Sequence, residues 1–151
     1  MLLTGASGFI GSHVLDALLA AGYPVRALVR PSSAWRPPPG VEALAGDVRR
    51  SGELVRGIEG CRWLVHVAGA YSFSPARREE MRDVNVHGCA SLLEAAGLAG
   101  VERAVVTSSS STVGPAGPGS GPGVRVATEA DRALGNDHSS YHASKIAQER
   151  V

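Results

Sequence analysis

Tyr141 and Lys145 stand four residues apart near the end of the chain, and on a helix that spacing puts them on one face, about one turn from each other. An ammonium beside a phenol favours the phenolate, which makes the phenol a usable proton donor or acceptor near neutral pH. A second polar cluster, Thr107-Ser108-Ser109-Ser110-Ser111-Thr112, follows the apolar run Ala104-Val105-Val106. Hydroxyls crowded after a central parallel strand stand where a substrate oxygen would arrive; the alternative is ordinary serine-rich turn chemistry. Tyr-x-x-x-Lys alone is a common spacing, so its meaning depends on what else the chain carries.

What else it carries is a glycine-rich octet at the start, Thr4-Gly5-Ala6-Ser7-Gly8-Phe9-Ile10-Gly11, joining the short apolar strand Leu2-Leu3 to a helix from about Phe9 to Ala21. Where a chain turns from strand into helix, residues without a β-carbon let a phosphate approach the main chain at the positive end of the helix. Gly5 permits the tight turn. Gly8, flanked by Ser7, Phe9 and Ile10, lets a pyrophosphate sit on main-chain N–H groups, and Gly11 lets the helix pack closely on the sheet. The octet reads as a dinucleotide pocket. A bare turn with no ligand is the alternative, and the strand before and helix after argue against it.

The elements that must position these groups follow in order. Gly22 ends the first helix, and Val25-Arg26-Ala27-Leu28-Val29-Arg30 reads as the second strand. Where an acidic residue would hold the ribose 2′-hydroxyl, the chain offers Arg30 and then Ser32 and Ser33; a guanidinium suits a 2′-phosphate and favours NADP(H) over NAD(H). An exposed arginine at a strand end is the plainer account. After the proline-rich residues 31–40, a third strand spans Val41 to Ala45 and Gly46-Asp47-Val48 closes it. Asp47 also suits a helix cap for the segment Ser51 to Ile58, with Ser51 as the competing cap.

Trp63 to Val67 reads as a buried parallel strand in which His66 packs within the core. Ala68-Gly69-Ala70 then lets a ligand pass over the strand's carboxyl end. A long helix is expected from about Glu79 to Leu98, interrupted by the poor helix formers of Asn85-Val86-His87-Gly88, which suggests a specific job for Asn85 and leaves His87 exposed. Residues 114–123, rich in glycine and proline, read as a mobile loop; 124–132 rejoin ordered chain, and the helix opened by Tyr141 is expected to run to Val151.

With 151 residues, 44% hydrophobic content and a formal net charge of +1, the composition is that of one soluble domain with no nucleic-acid or membrane partner. Arg49-Arg50 and Arg77-Arg78 read as solvated faces. Cys61 and Cys89 are the only cysteines; neither joins a cysteine/histidine cluster, so reduced thiols in a cytoplasmic protein, and no metal site, are expected. No apolar stretch approaches the ~18 residues that span a bilayer.

Taken together, His-Val-Ala-Gly-Ala-Tyr at 66–71, the run from Asn85 to Ala96, the run from Val101 to Gly114 and Tyr-His-Ala-Ser-Lys-Ile-Ala-Gln-Glu at 141–149 make the chain resemble the N-terminal part of an extended short-chain dehydrogenase/reductase of the NAD-dependent epimerase/dehydratase family. Within it, the motifs are most similar to dihydroflavonol-reductase-like enzymes and hopanoid-associated sugar epimerases. The resemblance implies that Ser109, with Ser110 as fallback, bonds the substrate oxygen, that Tyr141 passes the proton, and that Lys145 holds the nicotinamide ribose and tunes Tyr141. It further implies that Asn85 steadies the active site and that Asp47 and Val48 read the adenine. Ala68 and Gly69 pass beneath the cofactor, and a small molecule is the substrate.

The fold expected is α/β, a doubly wound parallel sheet of order 3-2-1-4-5, with residues 1–151 forming a dinucleotide-binding domain that lacks its last strands and its substrate domain. An edge left open invites self-association, as in a homodimer. Two readings stay open: an NAD(P)-dependent oxidoreductase or epimerase, and a non-catalytic dinucleotide-binding module or inactive fragment of such an enzyme.

Overall fold

Short apolar runs alternate with helical segments along the chain, and five of those runs pair as parallel strands: β1 (Leu2–Thr4), β2 (Val25–Val29), β3 (Val41–Ala45), β4 (Trp63–His66) and β5 (Arg103–Val106). Their order is β3-β2-β1-β4-β5, as the alternation of strand and helix leads one to expect. The computed structural model describes residues 1–115, 125–133 and 139–151. These fall into two compact units, Met1–Gly69 with His87–Thr107, and Ala70–Val86 with Ser108–Val151.

The first unit holds the whole sheet. Thr4 pairs in register with Leu28 on one side and His66 on the other, so the chain reverses direction of travel across the sheet beside β1. Helix α1 (Phe9–Ala20) buries Leu15 against Leu3, Ala6, Val25 and Ala27, with Val14, Leu18 and Leu19 packed around them. His66 is 1% exposed and its Nδ1 lies 2.7 Å from Thr4 Oγ1, which bears out its reading as a core residue. Cys61 and Cys89 are buried free thiols.

Two helical segments differ from expectation. In place of a helix over 51–58, a 3-10 helix runs from Val48 to Leu54, kinked at Arg50, before one α-turn, α2 (Val55–Ile58). Asp47, not Ser51, is its cap: the Asp47 carboxylate accepts from the Arg49 N–H at 3.0 Å. The long helix is likewise three pieces, α3 (Arg78–Arg82), a π-helical turn (Asp83–His87) and α4 (Gly88–Leu98). The widened turn coincides with the residues whose helix propensity is poor, and π-turns frequently mark functional places in helices.

The second unit contains a 3-10 turn over Pro75–Arg77, α3, a 3-10 turn over Ser110–Thr112 and helix α5 (Ser140–Gln148). Helix α5 stops at Gln148 rather than Val151. The Glu149 N–H closes on Lys145 O and the Arg150 N–H reaches back to Ala147 O, tightening the final turn. Most of the glycine- and proline-rich stretch, at 116–124, lies outside the described residues, as does 134–138.

Candidate active site

In the first unit the glycine octet follows β1 at its carboxyl end, next to the end of β4. Gly5 has φ +75°, and a β-carbon there would lie 2.6 Å from the Ala68 N, so position 5 needs glycine both for the left-handed turn and for the close approach of β4. A β-carbon on Gly11 would sit 1.9 Å from Gly5 O and 3.1 Å from Ala6 Cα. The close packing expected of Gly11 is therefore made against its own incoming loop rather than against the face of the sheet.

Gly8 differs from both. Its φ of −89° is open to any residue, and a β-carbon would meet only Gly5 O, at 3.4 Å. Nothing in the protein demands a glycine at 8; what its bareness provides is room on the solvent side of the turn. The Gly8 N–H itself is used, donating to Gly5 O at 2.9 Å. The amides that α1 leaves without intrahelical acceptors are those of Phe9, Ile10 and Gly11. No side chain caps this helix and no acid stands in its first turn. Ser7 is exposed, as are Phe9 and Ile10, at 82% and 55%. An uncapped, acid-free helix start behind a bare glycine fits a pyrophosphate.

Arg30 is exposed at the end of β2. Asp47, two residues past β3, forms a bidentate pair with Arg49, Nε and Nη2 to its two carboxylate oxygens at 3.0 and 2.7 Å. The Arg49 bonds hold the Asp47 carboxyl below the usual carboxylate range, and the charge of Arg30 adds to the effect. Val48 is buried. Beyond β4, the Ala68 N–H donates to Thr4 Oγ1 at 3.2 Å and Gly69 is exposed. The residues expected to hold a dinucleotide's phosphates, ribose and adenine thus follow the carboxyl ends of parallel strands, where open α/β sheets bind their ligands.

The second unit holds the proposed catalytic groups. Asn85 is fully buried in the π-turn. Its Oδ1 accepts from the Ala70 N–H at 2.7 Å, and its Nδ2 donates to Ala70 O and to Ser144 Oγ, each at 2.9 Å. Ser144 in turn donates to Tyr141 O at 2.7 Å. One carboxamide therefore pins both the backbone before Tyr71 and the helix that carries Tyr141 and Lys145. The polar atoms of the Asn85 and Ser144 side chains all find partners, as burial requires.

Lys145 is 5% exposed and donates to Gln148 Oε1, on its own helix and likewise buried. Tyr141 meets Tyr71 edge to face, with ring centroids 4.7 Å apart. Ser109 is the cap of the 3-10 turn, and its Oγ accepts from the Ser111 N–H at 3.2 Å and from Ser111 Oγ at 2.8 Å. With two bonds accepted, the Ser109 hydroxyl keeps its own proton to donate. Ser110 is exposed. Ser108 donates to the Glu149 carboxylate, and this bond, aided by Thr112 and by the charges of Arg132 and Lys145, keeps Glu149 below its ordinary value.

Sequence reasoning did not single out Ser144, Gln148, Glu149 or Tyr71. For the first three a signal existed, since each lies three or four residues from Tyr141 or Lys145 on one helix. Elsewhere in this unit, Arg125 pairs with Asp131, whose carboxyl also accepts from the Thr128 N–H and is held at about 2. A carboxyl so depressed keeps its tie intact above about pH 4 and loses it as pH falls toward 2.

A parallel sheet of order 3-2-1-4-5 with a glycine turn after β1 and a Tyr-x-x-x-Lys helix defines a class, the short-chain dehydrogenase/reductases. More narrowly, the chain belongs to the NAD dependent epimerase/dehydratase family, whose pattern matches residues 1–151. It is 41% identical over 115 residues to the sterol demethylase protein B of Methylococcus capsulatus, covering 75% of this chain and 35% of that protein. To the dihydroflavonol 4-reductase of Zea mays it is 38% identical over 125 residues, with 75% and 35% covered. The dTDP-glucose 4,6-dehydratase DesIV of Streptomyces venezuelae, solved with NAD and TYD bound, superposes with a TM-score of 0.79 at 32% identity, covering 99% of this chain and 49% of that one. The chain spans about a third of the length of the curated relatives it matches and about half of that solved structure.

Proposed function

We propose that this chain supplies the cofactor site and the proton-transfer residues of an NADP(H)-using oxidoreductase acting on a carbonyl or alcohol. The observation that carries the reading is the buried Asn85 carboxamide, which ties Ala70 and Ser144 together and so fixes the helix bearing Tyr141 and Lys145. A polar cluster of this kind is costly to bury unless every member is satisfied, and steadying a Tyr-Lys pair gives it a purpose. Relatives named as reductases and dehydrogenases, and a solved dehydratase holding NAD, support the same class.

In this reading a bound nicotinamide supplies or takes up the hydride at the substrate carbon. Tyr141 gives its phenolic proton to the substrate oxygen as that oxygen gains charge, and Ser109 donates a hydrogen bond to the same oxygen. Lys145 lies one helical turn away, where its ammonium would hold the nicotinamide ribose. Asn85 is a positioning residue. On the other unit, the amides of Phe9, Ile10 and Gly11 bind the pyrophosphate while Arg30 takes a 2′-phosphate. Asp47 and Val48 take the adenine, and Ala68 and Gly69 leave the nicotinamide end uncrowded. Buried free thiols fit a cytoplasmic setting. Among the described residues no helix is long and apolar enough to cross a membrane.

Fluorescence titration of the purified chain with NADPH and with NADH tests the reading. NADPH is expected to bind at least about tenfold more tightly, a difference of about 1.4 kcal/mol, and Arg30→Ala to erase the preference. Binding of neither cofactor by a chain that circular dichroism shows to be folded would overturn it. Tyr141→Phe should retain binding and lose turnover.

A further inference from the structure

Lysine occurs once in the 151 residues, at position 145; apart from the histidines, every other basic side chain is an arginine. In the second unit Arg77 pairs with Glu80 and Arg125 with Asp131, whereas Lys145 donates to a neutral amide oxygen, Oε1 of Gln148. Both side chains of that bond are 5% exposed. Burying an ammonium is costly unless its donors find acceptors, and burying a carboxamide carries a smaller cost of the same kind. One bond meets part of both.

Helix α5 also has a carboxylate at the spacing that forms ion pairs, since Glu149 stands four residues beyond Lys145. That carboxylate is engaged elsewhere: Ser108 donates to it, Thr112 adds a second hydroxyl, and the charge of Arg132 acts on it more strongly than that of Lys145. The helix thus gives its carboxylate to the serine turn and its amide to the lysine.

We infer that Gln148 is a positioning residue for the cofactor: its side-chain oxygen holds the Lys145 ammonium in place for the nicotinamide ribose without cancelling its charge. The inference rests on the reading of Lys145 as the residue that holds the ribose, and adds the group that holds Lys145. A lysine side chain is a flexible stem carrying a compact charge, and ordering it at the moment of binding weakens the ligand. A stem tied by Gln148 has already lost that freedom on folding. An ammonium has three donors, so the bond to Gln148 does not use up those a ribose hydroxyl needs. A carboxylate at 148 would hold the ammonium too, but would set a negative charge beside a cofactor that is itself an anion.

With a single lysine, a chain labelled with 13C-lysine gives one ε-methylene signal, and its titration can be followed by NMR in the wild type, Gln148→Met and Gln148→Glu. Gln148→Met keeps length and bulk but removes the acceptor; Gln148→Glu keeps an acceptor of the same shape. Neither alters the other ionisable groups around Lys145, which are Tyr141, His142 and Glu149 on α5, Arg78, Glu79, Glu80 and Arg82 on α3, and Asp83 after it; the turn Ser110–Thr112 carries none. In Gln148→Met the ammonium should lose its proton about 1 pH unit or more below the wild type, because burial then opposes the charge with one bond fewer. In Gln148→Glu it should lose it at a higher pH. The same chains are titrated with NADPH and with adenosine 2′,5′-bisphosphate, which has the adenosine end but no nicotinamide ribose. Gln148→Met should weaken NADPH about five- to tenfold and leave the bisphosphate within about twofold. An unchanged lysine titration, an unchanged NADPH affinity, or equal weakening of both ligands would each overturn the inference and leave the oxidoreductase reading standing. A folded wild-type chain that binds neither ligand would overturn that reading, and the ribose role with it. If melting shows Gln148→Met to be unfolded, Gln148→Asn, which keeps an amide but draws its oxygen back by one methylene, is held to the same outcomes.

Discussion

Asn85 does its work through three hydrogen bonds, to Ala70 N, Ala70 O and Ser144 Oγ. Truncating it leaves each of those groups without that partner inside the protein, and an unsatisfied buried polar group costs about 1–3 kcal/mol. Asn85→Ala is therefore expected to lower stability by about 2–4 kcal/mol and the melting temperature on the order of 10 °C, measured by thermal denaturation. A melt unchanged within a degree or two would show that the cluster contributes little. Asn85→Asp should fare no better, because a carboxylate can accept from the Ala70 N–H but has nothing to donate to Ala70 O or Ser144. The job suggested for position 85 by its poor helix propensity is thus visible in the sequence, but its partners are not. Ala70 and Ser144 are 15 and 59 residues away, and no local spacing rule reaches them.

Within elements, the three glycines of the first turn look alike in the sequence and part company in the structure. Gly11 is required by the fold, since a β-carbon would lie 1.9 Å from Gly5 O, while Gly8 is not, since its own would lie 3.4 Å from the same atom. Gly11→Ala should prevent folding or cost several kcal/mol. Gly8→Ala should cost no more than about 1 kcal/mol, the usual penalty at a helix cap, yet weaken NADPH at least tenfold by filling the space beside the free amides. Thermal melts paired with NADPH titration separate the two; a Gly8→Ala chain that binds as tightly as wild type would remove position 8 from the cofactor site. The glycine turn, the strand starts and the Tyr-Lys spacing were legible because each depends on neighbours a few residues apart. The 3-10 start at Val48 and the end of α5 at Gln148 were not, because capping and kinking are settled by hydrogen bonds that residue type alone leaves undecided. Arg50 breaks the first and the tightened turn at Arg150 ends the second.

For the molecule as a whole, the strand order was readable from alternation and the handedness rule, whereas the aromatic contacts of Tyr141, Tyr71 and Phe73 join residues 70 positions apart and were not. Among the described residues the sheet ends at β5, whose Ala104 and Val105 are exposed, Val105 at 62%. An apolar edge strand is a template for another chain. Sedimentation velocity should show association that grows with concentration, and Val105→Lys should shift the chain toward monomer. A wild-type chain that stays monomeric at high micromolar concentration would rule out pairing through this edge.

The bond between Asn85 and Ser144 also has a consequence for heredity. A codon change at position 85 strands Ser144 and the Ala70 backbone together, and a change at position 144 alone leaves one Asn85 donor bond unmade. Selection on one codon is therefore felt at another, far away in the gene, because the two side chains share a single buried bond.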